Sequence, residues 1–193
     1  MKPFNIYLAG VGGQGIGLLS EMILRAADHA GQRVKAVDTH GLAQRGGVVV
    51  SQIRMGETVF SPLIPEHGAD LVVALERHEA LRALIRFGGE GGNLIYYDTV
   101  WQPLDVRLGA VSQVSTEDIR SQCEKLGVRA INVRVPELED VRTQNVVLLA
   151  HLEKHGLIPG IDASQYEQAM DDLMDGKMLE RNKALFKAYR MAA

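Results

Sequence analysis

At 193 residues, with 46% hydrophobic and 23% charged residues, the chain is long enough for one compact domain, alone or with a helical extension, and is neither disordered nor membrane-spanning in character. A formal net charge of -3 without a long Lys/Arg block argues against a nucleic-acid binder, and no apolar run is long enough for a signal-peptide core or a membrane span, so a cytoplasmic location is expected. One cysteine, Cys123, excludes a disulfide framework, a Cys-rich zinc site and any iron-sulfur cluster held by this chain alone, because such clusters take about four thiolates.

The first stretch, "FNIYLAG", is short, apolar and β-prone, and the segment after it places Ile16, Leu19, Ile23, Leu24 and Ala27 at helical spacing. Strand, glycine turn and helix follow one another, with Gly31 as the helix stop and "QRVKAVDTHG" as a second strand ending near Asp38. Right-handed crossover makes these two strands parallel. "GGVVVSQIRMGETVFSP" has two β-rich runs either side of "MGE" with no room for a helix, which predicts an antiparallel hairpin. Alternation resumes with "ADLVVALE" as a buried strand, "RHEALRALIRFGG" as a helix and "GNLIYYD" as a strand.

Residues 99–114 read only as a loop with room for an edge strand. Ser115 and Asp118 resemble a helix-capping pair, although a full capping box prefers Glu or Gln at the second position. "TEDIRSQCEKLG" reads as a helix, "VRAINVRV" as a strand and "VRTQNVVLLAHLEKHG" as an apolar helix, before Pro159 and Gly160 break the chain. The tail is two helix-prone stretches divided at Gly176, in which Met170, Met174 and Met178 are packing residues. The expected architecture is α/β: a Rossmann-like, mostly parallel sheet with flanking helices over residues 1–160, a β-hairpin insertion after the second strand, and a helical extension over 161–193. Helices outside a complete α/β unit need something to cover their apolar faces, which leaves open a partner or a second copy of the chain.

Two loops carry the chemistry. In "LAGVGGQGIG", Gly10, Gly12, Gly13 and Gly15 lie at a strand-to-helix turn, where glycines permit close backbone approach and the helix N-terminus offers free N–H groups to an anion. Asp38, 23 residues beyond Gly15, stands where a ribose-binding acid is expected, so spacing alone gives a dinucleotide fingerprint. The plainer explanation is that these glycines only allow tight strand-helix packing. "GVGGQG" before a helix carrying Glu21 also resembles the ATP-binding loop of ubiquitin-activating-type adenylyltransferases. Cys123, inside a predicted helix, reads as a small buried residue and not as a nucleophile.

The second loop, "DTHGLAQRGGVVVSQIR", sets His40, Gln44 and Arg45 among Gly41, Gly46 and Gly47 at the end of the second strand, so it is expected to face a crevice shared with the first loop. Arg45 suits a phosphate or carboxylate, and His40 an acid, base or hydrogen-bond donor; equally, both could tie down a surface loop. Glu76, Arg77, His78 and Glu79 follow a strand end and read mainly as a solvated first helical turn.

"GVGGQGI", "THGLAQRGGVVVSQIR", "ADLVVALE" and "LERNKALFKAYR" together resemble the gamma-type subunit of the 2-oxoacid:ferredoxin oxidoreductases over nearly the whole chain, and the "HGLAQRGG" form is most similar to the beta subunit of the indolepyruvate-oxidising enzymes. The resemblance implies oxidative decarboxylation of a 2-oxoacid such as an aryl pyruvate to an acyl-CoA, by a complex in which this chain alone is inactive. It implies that thiamine diphosphate, Mg2+ and [4Fe-4S] clusters belong to a large partner subunit, that coenzyme A is the co-substrate, and that ferredoxin is reached through the complex. Gly10, Gly12, Gly13, Gln14, Gly15, His40, Gln44, Arg45, Gly46 and Gly47 are then the candidate binding residues, with His40 and Arg45 in assisting roles and no metal ligand. An independent NAD-dependent dehydrogenase or ATP-dependent adenylyltransferase using the Gly10–Gly15 loop is the alternative.

Overall fold

The computed structural model describes residues 2–40, 47–101, 108–109 and 112–192, the His40 side chain excepted. The first strand, β1 (Phe4–Val11), sets the layers: its side chains alternate, so Ile6 and Leu8 join one apolar cluster while Tyr7 and Ala9 join another on the opposite face. Strands β2 (Val34–His40), β3 (Val48–Met55), β4 (Ala69–Ala74), β5 (Gly88–Tyr97) and β6 (Arg129–Val133) complete a six-stranded sheet in the order β2-β3-β1-β4-β5-β6. The β1–β4, β4–β5 and β5–β6 pairs are parallel, and β3 runs antiparallel to both β1 and β2. It follows that β2 points the same way as β1, as right-handed crossover requires, and the sheet is mostly parallel.

The hairpin lies one step earlier in the chain than the sequence suggests. It pairs β2 with β3, from Val34 opposite Met55 to His40 opposite Val49, and no strand follows Gly56 before β4. The reason is proline: Pro62 and Pro65 cannot donate to a ladder. Side chains instead satisfy this segment, with Arg54 donating to the carbonyls of Ser61 (3.1 Å) and Leu63 (3.2 Å), and Gln52 Oε1 accepting from Ile64 N–H (2.7 Å).

Helix α1 (Ile16–His29) buries Leu19, Met22, Ile23, Ala26 and Ala27 against one sheet face. Helix α2 (Arg77–Phe87) and helix α3 (Thr116–Leu126) cover the other with Ala80, Leu84, Phe87, Ile119 and Cys123. The capping pair before α3 closes into a full capping box despite the aspartate: Ser115 Oγ accepts from Asp118 N–H at 3.1 Å and Asp118 accepts from Ser115 N–H at 2.8 Å. Residues 102–107 and 110–111, within the 99–114 stretch expected to be a loop or edge strand, lie outside the described residues.

After a short 3-10 turn (Val141–Thr143), helix α4 (Gln144–Lys154) is buried from Gln144 to Ala150; α5 (Ala163–Leu173) packs against α1, and α6 (Gly176–Met191) packs against α4. Tyr166, Met170, Met174 and Phe186 of this tail enter the same cluster as α1 and the sheet, while Met178 is exposed. Much of the tail's apolar face is therefore covered by the chain itself.

His151 of α4 and His155, which follows the helix's last residue, stack with ring centroids 5.9 Å apart. Burial holds both below the ordinary imidazole range, helped by Lys154 and His155 for His151 and by Arg129 and Lys154 for His155. Because the unfolded chain takes up these protons first, their contribution is complete above about pH 6.5 and is lost as pH falls through the lower folded-state values. We expect the urea midpoint to drop between pH 7 and about 5.5, and to drop less in a His151→Leu/His155→Gln double variant; equal slopes in the two proteins would refute this origin.

Candidate functional site at the carboxyl end of β1

In a parallel α/β sheet ligands gather beyond the carboxyl ends of the strands, where the strand order reverses. Here that point lies between β1 and β4, and Gln14 occupies it. Its side chain is buried, accepts from Val11 N–H at 2.8 Å through Oε1 and donates to the Leu75 carbonyl at 2.7 Å through Nε2. Gln14 N–H also donates to the Val11 carbonyl at 3.1 Å. The first loop is thereby clipped to the end of β4, and Gln14 faces the protein, not a ligand.

Gly10 is likewise structural, since a Cβ there would stand 2.8 Å from Ile16 Cγ1. Gly15 has φ +83°, and a Cβ on it would meet Asn145 Nδ2 at 2.7 Å. Asn145, at the start of α4, is buried and donates to the Gly15 carbonyl at 3.4 Å. That contact was invisible in the sequence because the two residues are far apart along the chain.

The open side of the loop faces β3. Val11, Gly12, Gly13, Gly15, Ile16, Gly17 and Val49 line a shallow hollow of about 340 Å³. Helix α1 has no side-chain cap and no acid in its first turn, so its positive end is left to the hollow. Gly12 N–H donates to the Gly47 carbonyl at 2.8 Å, which joins the first loop to the end of the second. Gly12, Gly13, Gly15 and Gly47 are thus brought together as expected; Gln44, Arg45, Gly46 and the His40 side chain lie outside the described residues. Gly17 and Val49 are additions to the lining, and Trp101 stands 3.7 Å from where a Gly13 Cβ would be.

Asp38 does not serve as a ribose acid beside β1. The inserted β3 moves β2 out by one strand spacing, about 4.8 Å, and the Asp38 carboxylate accepts hydrogen bonds from the hydroxyls of Ser51 and Ser20. Together with the Gln14 plug, this leaves the dinucleotide spacing without the geometry it normally signals.

The Glu76–Glu79 turn also departs from expectation. Glu76, His78 and Glu79 are buried, not solvated. Glu76 caps α2 by accepting from His78 N–H (2.7 Å) and Glu79 N–H (3.1 Å), and its other oxygen pairs with His78 Nδ1 (2.8 Å). Val114 N–H donates to His78 Nε2 at 3.1 Å, so Nδ1 carries the proton that faces Glu76. Arg77 pairs with Asp98, which holds its guanidinium charge more firmly, and Arg77 N–H donates to the Thr99 carbonyl at 3.1 Å. These contacts fix the chain that carries Trp101 to the glycine loop.

Cys123 lies on the buried face of α3, and burial pushes its thiol up to about 11, so it is no nucleophile. Among the described residues no cluster of three or more His, Cys, Asp or Glu side chains could hold a metal, and no helix is long and apolar enough to cross a membrane.

Residues 5–191 match the family model described as pyruvate ferredoxin/flavodoxin oxidoreductase. The indolepyruvate oxidoreductase subunit IorB of Archaeoglobus fulgidus is 37% identical over 194 residues, covering 97% of this chain and 94% of that protein. The fold resembles a keto/oxoacid ferredoxin oxidoreductase gamma subunit from Geobacter sulfurreducens, with a TM-score of 0.68 at 16% identity, covering 97% of this chain and 96% of that one. It also resembles part of the 2-oxoglutarate:ferredoxin oxidoreductase of Magnetococcus marinus, with a TM-score of 0.69 at 20% identity, covering all of this chain (100%) and 32% of that one.

Proposed function

The chain belongs to the pyruvate ferredoxin/flavodoxin oxidoreductase family, and on that premise we propose that it is the small subunit of a ferredoxin-dependent 2-oxoacid oxidoreductase acting on an aryl pyruvate such as indolepyruvate, with an acyl-CoA as product. The observation that carries this is the uncapped N-terminus of α1, opening on a hollow between the glycine loop and β3, which the Gly12–Gly47 hydrogen bond ties together. Such a surface offers N–H groups to an anion but no acid, base or nucleophile among its described residues. It suits a subunit that orients a charged group for chemistry performed elsewhere.

In this assignment the large partner holds thiamine diphosphate, Mg2+ and the [4Fe-4S] clusters, in the cytoplasm. The buried Cys123 is the only thiol of this chain, far short of the roughly four a cluster takes. The N–H groups at Gly15–Gly17, with Arg45 and His40 from the second loop, receive a coenzyme A phosphate or the substrate carboxylate at the subunit interface. Ferredoxin is served through the partner. The plugged switch point and the displaced Asp38 disfavour a stand-alone dehydrogenase or adenylyltransferase.

Co-expression with the large subunit, followed by 2-oxoacid- and coenzyme-A-dependent dye reduction, tests the assignment: activity is expected from the complex and none from this chain alone. Activity of the isolated chain would sink it. Gly17 gives a sharper test, because a Cβ there meets nothing within 4 Å and the fold should accept a side chain. Gly17→Glu is expected to fold normally yet reduce coenzyme-A-dependent turnover about tenfold or more, by setting a carboxylate in an anion site. A fully active Gly17→Glu complex would show that the hollow binds no anion.

A further inference from the structure

A second hollow, of about 70 Å³, lies on the sheet face turned away from α1, between β1, β3 and α2. Ala9 and Val50, opposed across the β1–β3 ladder, make its floor, with Ala83 and Phe87 of α2 as a wall. Tyr7 lies two residues before Ala9 on the same strand, its ring stacked on Phe87 with centroids 4.0 Å apart. The residue is only 7% exposed, yet its hydroxyl makes no hydrogen bond to a described residue and is not sealed from the hollow it lines. Burial raises the phenol above its ordinary value, against the pull of Arg86 and with the help of Glu79, so at neutral pH it keeps a proton to donate. Arg82 and Arg86 stand at the mouth one helical turn apart, against the single carboxylate of Glu79. Arg82 Nη1 meets that carboxylate at 3.1 Å, while the Arg86–Glu66 pair, 3.1 Å through Nε, lies largely in solvent and holds little. An idle hydroxyl so nearly buried needs a partner. No described group of the chain supplies one.

We propose that this hollow binds a short aliphatic monocarboxylate, whose acid group accepts hydrogen bonds from the Tyr7 hydroxyl and the Arg86 guanidinium and whose alkyl chain lies on Ala9 and Val50. Charge fixes the sign of the ligand. Two guanidiniums line the hollow against one carboxylate, both can only donate, and the protonated phenol adds a further donor for the same anion. Size sets the class: a water takes roughly 10–15 Å³ of such space, so about 70 Å³ admits about five to seven non-hydrogen atoms. Propionate and butyrate fit; an aryl pyruvate or a coenzyme does not. The apolar floor favours a carbon chain over inorganic phosphate, which would gain nothing by covering it. The hollow lies across the sheet from the one at α1, so it stands or falls independently of the assignment above.

Saturation-transfer NMR of propionate with the full chain, alone and in complex with its large subunit, tests this. A saturable signal is expected in both preparations. In the isolated chain carrying 13C-labelled tyrosine, propionate should also shift the Tyr7 resonance, recognised as the one of five that is missing from Tyr7→Phe. Propionamide, inorganic phosphate and phenylpyruvate should bind at least about tenfold more weakly, the first for want of charge, the second for want of an alkyl chain and the third for its size. Tyr7→Phe keeps the ring and its stack, and should weaken propionate by about tenfold or more without lowering the melting temperature, because the hydroxyl has no internal partner to lose. Arg86→Met keeps the stem of the side chain and should weaken binding by a similar factor. A Tyr7→Phe chain that melts well below the parent would assign the hydroxyl to the fold and overturn the inference. So would the absence of saturable transfer up to about 20 mM, equal binding of propionamide, loss of the signal in the complex, or full binding in either variant.

Discussion

Replacing Gln14 by leucine is expected to destabilise the chain by about 2–5 kcal/mol, since each of two buried backbone groups left without a partner costs roughly 1–3 kcal/mol. The two groups are Val11 N–H and the Leu75 carbonyl, which Gln14 now satisfies at 2.8 and 2.7 Å. For a chain of this length that corresponds to a fall in melting temperature of about 5–15 °C. The effect has a functional side as well. Those same bonds hold the turn that presents Gly12 and Gly13 to the hollow, so the hollow should lose its shape along with stability. Glutamate would keep the acceptor for Val11 but lose the donor to Leu75 and bury a charge, and it is expected to be no better tolerated than leucine. Thermal melting and urea denaturation read the result; a loss of less than about 1 kcal/mol in Gln14→Leu would mean that the turn re-forms without its clip.

Glu76→Ala is expected to cost about 2–4 kcal/mol. The loss of a helix cap accounts for roughly 0.5–2 kcal/mol, and the stranded Nδ1–H of buried His78 adds roughly 1–3 kcal/mol. Glu76→Gln should recover only part of this. Both carboxylate oxygens of Glu76 accept hydrogen bonds, so an amide must turn an NH2 toward a donor. His78 cannot adapt by changing tautomer, because its Nε2 already accepts from Val114 N–H. A second readout separates this from general destabilisation: Arg77 and Asp98, next to the cap, position the segment leading to Trp101. The tryptophan emission of the folded Glu76→Ala variant should therefore shift toward the red. Unchanged emission together with an unchanged denaturation midpoint would remove Glu76 from its anchoring role.

Both residues show why the site was only partly legible in the sequence. Gln14 stands inside a recognisable loop, but spacing says nothing of where its side chain turns, which is into the protein. Its partner Leu75 lies on β4, and only the pairing of β1 with β4 brings the two together. Glu76 and Glu79 looked like ordinary acids of a solvated first turn, the usual place for them. They are buried because α2 starts under the chain that follows β5, a contact with no local signature.

The sequence by itself determined the kind of fold and the place of the first loop. Period-two runs made strands, 3.6-period runs made helices, and glycines at the strand-to-helix turn fixed where the chain could approach another group closely. These are properties of neighbours along the chain. The position of β3 between β2 and β1, and with it the fate of Asp38, was decided by the tertiary structure alone. A β-strand pairs with whichever edge buries its apolar face, and Ser51, Ile53 and Met55 find that burial against α1 only when β3 lies beside β1. The order of strands is a property of the whole sheet, and that order sets a dinucleotide-like spacing beside β3 and not beside β2.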